Sequence, residues 1–145
     1  MHSITKHFIL SVLLILSCSI FSQAIDLKIK NIRNTKGQIC VAVFMNEADF
    51  KAEKTCWEMK YSAKEILGNE MTLQIQIKPG RYGISVLHDE NNNGKMDYNF
   101  FGIPNEGFGF SDYYHRGIKK PHFDDFNFYI EKNEMKKIIV IMKYF

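Results

Sequence analysis

The chain has 145 residues, 46% of them hydrophobic, with 19 Lys and Arg against 16 Asp and Glu and a formal net charge of +3. Basic residues are scattered, clustering only in "IKK" and "MKKI", which excludes the cationic stripe by which a nucleic-acid binder grips phosphates. The length suits one domain and is short for two.

Residues 1–24 read as a secretory signal peptide. Lys6 and His7 precede an apolar core from Phe8 to Leu16, and Ser22 and Ala24 supply the small residues of a cleavage site. That core is shorter than the roughly 20 apolar residues a permanent span needs. "ILSC", ending at Cys18, is a loose lipoprotein processing box, so two export routes stand open. Cleavage near Ala24 gives a secreted or periplasmic protein; lipidation of Cys18 is the route that would bring a membrane into play. Residues 25–145 then form the domain, with Cys40 and Cys56 as its cysteines. In an oxidising compartment the pair invites a disulfide, worth about 3 kcal/mol in the chain-entropy picture. Against that, Cys40 lies within an apolar strand pattern, where a free thiol packs as a small hydrophobe.

From Ile25 onward the pattern is short apolar alternation, the signature of half-buried strands. "IDLKIKNI" sets Ile25, Leu27 and Ile29 on one face and Asp26, Lys28 and Lys30 on the other; "NTKG" turns the chain into "QICVAVFM", a mostly apolar central strand. Asn46 to Thr55 is compatible with a helical turn. "WEMKYSA" reads as an edge strand, "MTLQIQI" as an alternating one, and "RYGISVLH" returns antiparallel after the turn "KPG". The pattern then stops until "DFNFYIE" and "KKIIVIMKY" close the fold. About seven strands without a long helix make an all-β, antiparallel two-sheet sandwich. Its one long glycine- and aromatic-rich loop, residues 89–123, holds five of the nine glycines.

Two features of that loop carry chemistry. In "DENNNGKMD", Asp89, Asn91, Asn93 and Asp97 offer side-chain oxygens at alternate positions, Gly94 permits the bend and Lys95 offers a carbonyl, a spacing that follows the calcium loops of EF-hand and dockerin type. The twelfth position, where a bidentate Glu closes such shells, is Phe100. Calcium binding here would therefore be weak, about 10⁻⁴ to 10⁻³ M. Equally, Asn and Asp serve as turn formers that satisfy local N–H groups. Seven aromatic residues lie between Tyr98 and Tyr114. They can tuck under the loop as a satellite core or form a binding platform, with Glu106, Phe108, Phe110, Asp112 and Tyr113 as its residues, for a small molecule, a glycan or a protein. His88, Asp89, Glu106, Asp112, His115 and His122 are acid and base types, which leaves a small extracytoplasmic hydrolase as the alternative to a non-catalytic structural or binding role. No nucleophile elbow, H-E-x-x-H or dinucleotide glycine motif accompanies them.

"GQICVAVF", "PGRYGISVLHDENNNGKMD", "FFGIPNEGFGF" and "PHFDDFNF", in that order, resemble the bacterial secreted family catalogued as domain of unknown function 2141, from about Leu27 to Tyr144. The resemblance implies an exported sandwich of immunoglobulin-like or prealbumin-like kind and implies no established activity. The "PGRYGISV" hairpin is also similar to that of carboxypeptidase-regulatory and collagen-adhesin B-type modules, sandwiches without catalysis of their own.

Overall fold

The computed structural model describes residues 23–145; residues 1–22 of the expected signal segment, Cys18 among them, lie outside these. Eight strands form: β1 (Ala24–Lys30), β2 (Gln38–Phe44), β3 (Trp57–Ser62), β4 (Met71–Gln76), β5 (Gly80–Asp89), β6 (Gly107–Phe110), β7 (Asn127–Ile130) and β8 (Met135–Ile141). Two short helices, α1 (Glu47–Lys51) and α2 (Phe123–Phe126), punctuate them. β1 starts at Ala24, one residue before the expected domain start, and its first amide donates to the Glu134 carbonyl.

One sheet is ordered β4-β1-β8; the other is β3-β2-β5-β6, with β7 also paired to β5. This is the expected all-β two-sheet sandwich, with one correction. The described residues form eight strands, close to the about seven expected, and β1 and β8 run parallel while the other strand pairs are antiparallel. Parity explains the packing between the sheets. Ile25, Leu27 and Ile29 of β1, Ile39, Val41 and Val43 of β2, Ile84 and Val86 of β5, and Ile138 and Val140 of β8 are all buried in one core. On the period-2 pleat, those residues share the inward face of their strands.

The larger sheet is covered on its outer face too. Phe44, Phe50, Phe110, Phe123 and Phe126 form a second buried cluster, closed by edge-on ring pairs such as Phe50–Phe126 at 4.9 Å. α1 supplies Phe50, and the Asn46 side chain caps it by accepting the Asp49 N–H at 2.9 Å. α2 takes the start of what the sequence reads as a strand. Phe123 and Phe126, one helical turn apart, both reach the outer cluster before Asn127 turns the chain into β7.

β5 is long enough to hold three partners. β2 lies along one edge; β7 takes Gly80–Gly83 and β6 takes Ser85–His88 on the other. Between them Ser111 bridges the gap, its hydroxyl accepting the Ile84 N–H at 2.9 Å and donating to the Phe126 carbonyl at 2.5 Å. The long loop is thus sewn into the sheet midway. The chain beyond β8 pairs with β6, Phe108 and Lys143 exchanging N–H···O bonds of 3.0 and 2.7 Å, which links the two sheets along that side.

Candidate functional site

The oxygen-rich loop is closed on itself by hydrogen bonds. Asp89, fully buried at the end of β5, accepts from the Gln38 amide at 2.6 Å, the Gly94 N–H at 2.7 Å and the Asn93 N–H at 3.1 Å. Burial alone would raise its pKa, but these bonds outweigh it and hold the carboxyl below its ordinary range. Asn91 and Asn93 cap the N–H groups two residues on, at 3.0 and 2.9 Å. Their Nδ2 groups both donate to Asp97 Oδ2, at 2.6 and 2.7 Å. Lys95 lies on the exposed side of the turn. Among the described residues, no three His, Cys, Asp or Glu side chains group as a metal site would require.

Glu106, 4% exposed, ties both ends of this turn by accepting the Glu90 N–H at 2.9 Å and the Asp97 N–H at 3.2 Å. Burial pushes its pKa up, and neighbouring Asp89 and Asp97 add to the rise. Asp112 accepts the Ile139 N–H at 2.8 Å, fastening the loop to β8. The candidate acids and bases are therefore largely occupied. His88 is fully buried, with Nε2 donating to the Lys36 carbonyl and Nδ1 meeting the Tyr144 hydroxyl, both at 2.9 Å. Since a carbonyl only accepts, Nε2 carries a proton toward Lys36, while Nδ1 faces the tyrosine hydroxyl. Around this pair Arg33 makes a bidentate pair with Glu90 at 2.7 and 2.8 Å and lies over the Tyr144 ring at 4.5 Å.

Cys40 and Cys56 are both free, which corrects the expected disulfide. The ladder explains why. Cys40 pairs with Lys60, whereas Cys56 falls beside Val43, its N–H donating to that carbonyl at 2.9 Å. The two lie about four residues apart along the strands, about 13 Å at strand rise, beyond the roughly 7 Å a disulfide spans. Burial pushes the Cys40 thiol up to about 11, so it stays protonated and packs as the small hydrophobe its strand suggested.

The opening on the outer face of the larger sheet is a cavity of about 300 Å³. Its floor is two cross-strand rows. Lys60, Cys40, Leu87 and Phe108 stand abreast in one; Glu58, Ala42, Ser85 and Phe110 stand abreast in the next. Small side chains at Cys40, Ala42 and Ser85 leave the hollow, and the two phenylalanines wall it on the β6 side. Met96, Tyr98 and Pro104 border it at one end, and Phe50, Ile118 and Pro121 at the other. His115 stands by the second border, Nε2 donating to the Lys119 carbonyl at 2.6 Å and Nδ1 shielded from solvent without a hydrogen-bond partner. Of the five expected platform residues, Phe108 and Phe110 line the cavity. Tyr113 packs behind them against the outer cluster, and Glu106 and Asp112 hold the loop. The cavity floor itself was missed by reasoning from sequence. A signal was there: β2 is apolar at both parities, with Cys40, Ala42 and Phe44 alternating against Ile39, Val41 and Val43, which means a strand covered on both faces.

The family described as "Uncharacterized protein conserved in bacteria (DUF2141)" matches residues 27–138, and the chain belongs to it. No curated protein and no solved structure matches.

Proposed function

We propose that this protein is an exported, non-catalytic binding module that holds a small, mostly apolar ligand in the cavity between the outer face of its larger sheet and the 95–121 segment. One observation carries the reading. Above Cys40, Ala42 and Ser85, each left partly exposed, the sheet face carries an open concave hollow of about 300 Å³, the kind of concavity in which small ligands bind. That volume is at the lower end for ligand sites, and the lining sets rings such as Phe50, Phe108 and Phe110 beside four lysines and two glutamates. The signal-like segment supports a periplasmic or cell-surface setting. A neutral fluorescent probe, N-phenyl-1-naphthylamine, tests the proposal. It should bind the protein with enhanced emission and lose that binding in Ala42→Phe, whose ring fills the hollow; equal binding by a folded Ala42→Phe variant would rule the cavity out.

A second reading concerns calcium. Asn91 and Asn93 each reach Asp97 Oδ2, at 2.6 and 2.7 Å, so rotating the two amides by half a turn would present their oxygens, with Asp97, to one cation. About 10 mM calcium should then raise the unfolding midpoint by a few degrees through mass action. No rise at that concentration retires the ion.

A further inference from the structure

We infer that the ligand of this cavity is an amphiphile with an anionic head, read by Lys60 and Lys95, and an apolar tail laid along Leu87, Phe108 and Phe110. This rests on the cavity being a binding site and goes further by naming what fills it.

Charge is unevenly placed around the opening. Four lysines line it, Lys60, Lys95, Lys119 and Lys120, against Glu53 and Glu58. Lys120 is paired with Glu53 at 2.6 Å. Lys60 and Lys95 make no ion pair with any described residue, and the turn brings them to one end. A Cβ at Gly94, the residue before Lys95, would stand 3.2 Å from Lys60 Nζ. Glu58 sits one row along the same face, about 6.6 Å away at strand rise, and forms no ion pair with Lys60. Two lysines that make no ion pair, Lys60 reaching the turn and Lys95 next along it, favour an acid at the mouth of the hollow, since both repel a cation. Behind them the first floor row turns apolar at once, Lys60 and Cys40 giving way to Leu87 and Phe108. A head at the lysines therefore sends its tail over the rings. The volume holds about ten water-sized groups, the size of a medium-chain carboxylate.

Three probes of equal chain length decide it: octanoate, octanol and octylamine, measured by displacement of N-phenyl-1-naphthylamine. Octanoate should bind about fivefold more tightly than octanol, the scale of a partly exposed ion pair, and octylamine more weakly than either. Lys60→Ala/Lys95→Ala should bring octanoate down to the affinity that the same variant has for octanol, and about 1 M NaCl should erase the difference by screening. If octanoate and octanol bind alike, or the double variant keeps the preference, the anionic assignment is overturned while the cavity remains a site. If neither binds and Ala42→Phe changes nothing, both readings fall.

Discussion

Asp89 and Glu106 are carboxylates of opposite character within one turn. Asp89 is surrounded by donors, and its charge is what those donors need; Glu106 meets two backbone N–H groups but lies near Asp89 and Asp97 in a buried place. Removing the first should hurt more. Asp89→Ala strands the Gln38 amide and two loop N–H groups, and loss of hydrogen bonds to a buried charge costs about 3 kcal/mol. Urea unfolding should show that loss, and a change below about 1 kcal/mol would mean the turn re-forms without Asp89. The alternation of Asp and Asn with Gly94 was legible in the sequence as a turn or an ion loop. What was not legible was its tertiary half: Gln38, Arg33 and Tyr144 each meet this region across more than fifty residues. No local pattern marks such partners.

At the scale of elements, alternation predicted β1 and β4 well because each buries one parity on a single core. β6 escaped because "GFGF" looks like a flexible loop: glycine weakens a strand unless something must come close. Something does. A Cβ on Gly107 would lie 2.1 Å from the Tyr144 ring, and one on Gly109 would lie 2.5 Å from Val140 Cγ1 and 2.9 Å from the Ile141 carbonyl. Those glycines let the chain leaving β8 cross against β6, the contact that links the sheets. Gly109→Val should therefore destabilise by about 2 kcal/mol or more, the range of overpacked cores, since the backbone of Ile141 cannot swing aside as a side chain can. Amide exchange would be expected to speed up at Phe108 and Lys143, which exchange the crossing bonds. If Gly109→Val keeps wild-type stability and protection there, the close approach is not what fixes β6. The same logic bounds α2: a run rich in Phe reads as strand by composition, yet Phe123 and Phe126 serve the outer cluster only at helical spacing.

Across the whole molecule, the buried carboxylates make stability depend on pH in two directions. Asp89 is held below its ordinary pKa by hydrogen bonds that outweigh burial, and Glu90 chiefly by the Arg33 pair. A depressed acid contributes stability above its unfolded pKa, about 4, and loses it as pH falls through the folded value. Glu106 has the opposite sign. With its pKa raised by burial and by Asp89 and Asp97, and with Arg33 as the nearby cation, its contribution is complete below about 4.3 and is lost as pH rises through its folded pKa. Stability should therefore fall as pH drops through the depressed values of Asp89 and Glu90, and on account of Glu106 should also decline as pH rises from about 4.3 through that group's folded pKa. Glu106→Gln separates the two limbs, because it keeps the side-chain shape and removes one titration. Losing one hydrogen bond shifts its whole curve by a pH-independent amount of about 1 kcal/mol, so the slope is the readout. Urea midpoints from pH 3 to 8 should keep the acid fall in the variant and flatten the decline that starts above about pH 4.3. Curves that stay parallel from about pH 4 upward would show that Glu106 is not the group responsible, and that the loop junction it ties tolerates its charge without cost.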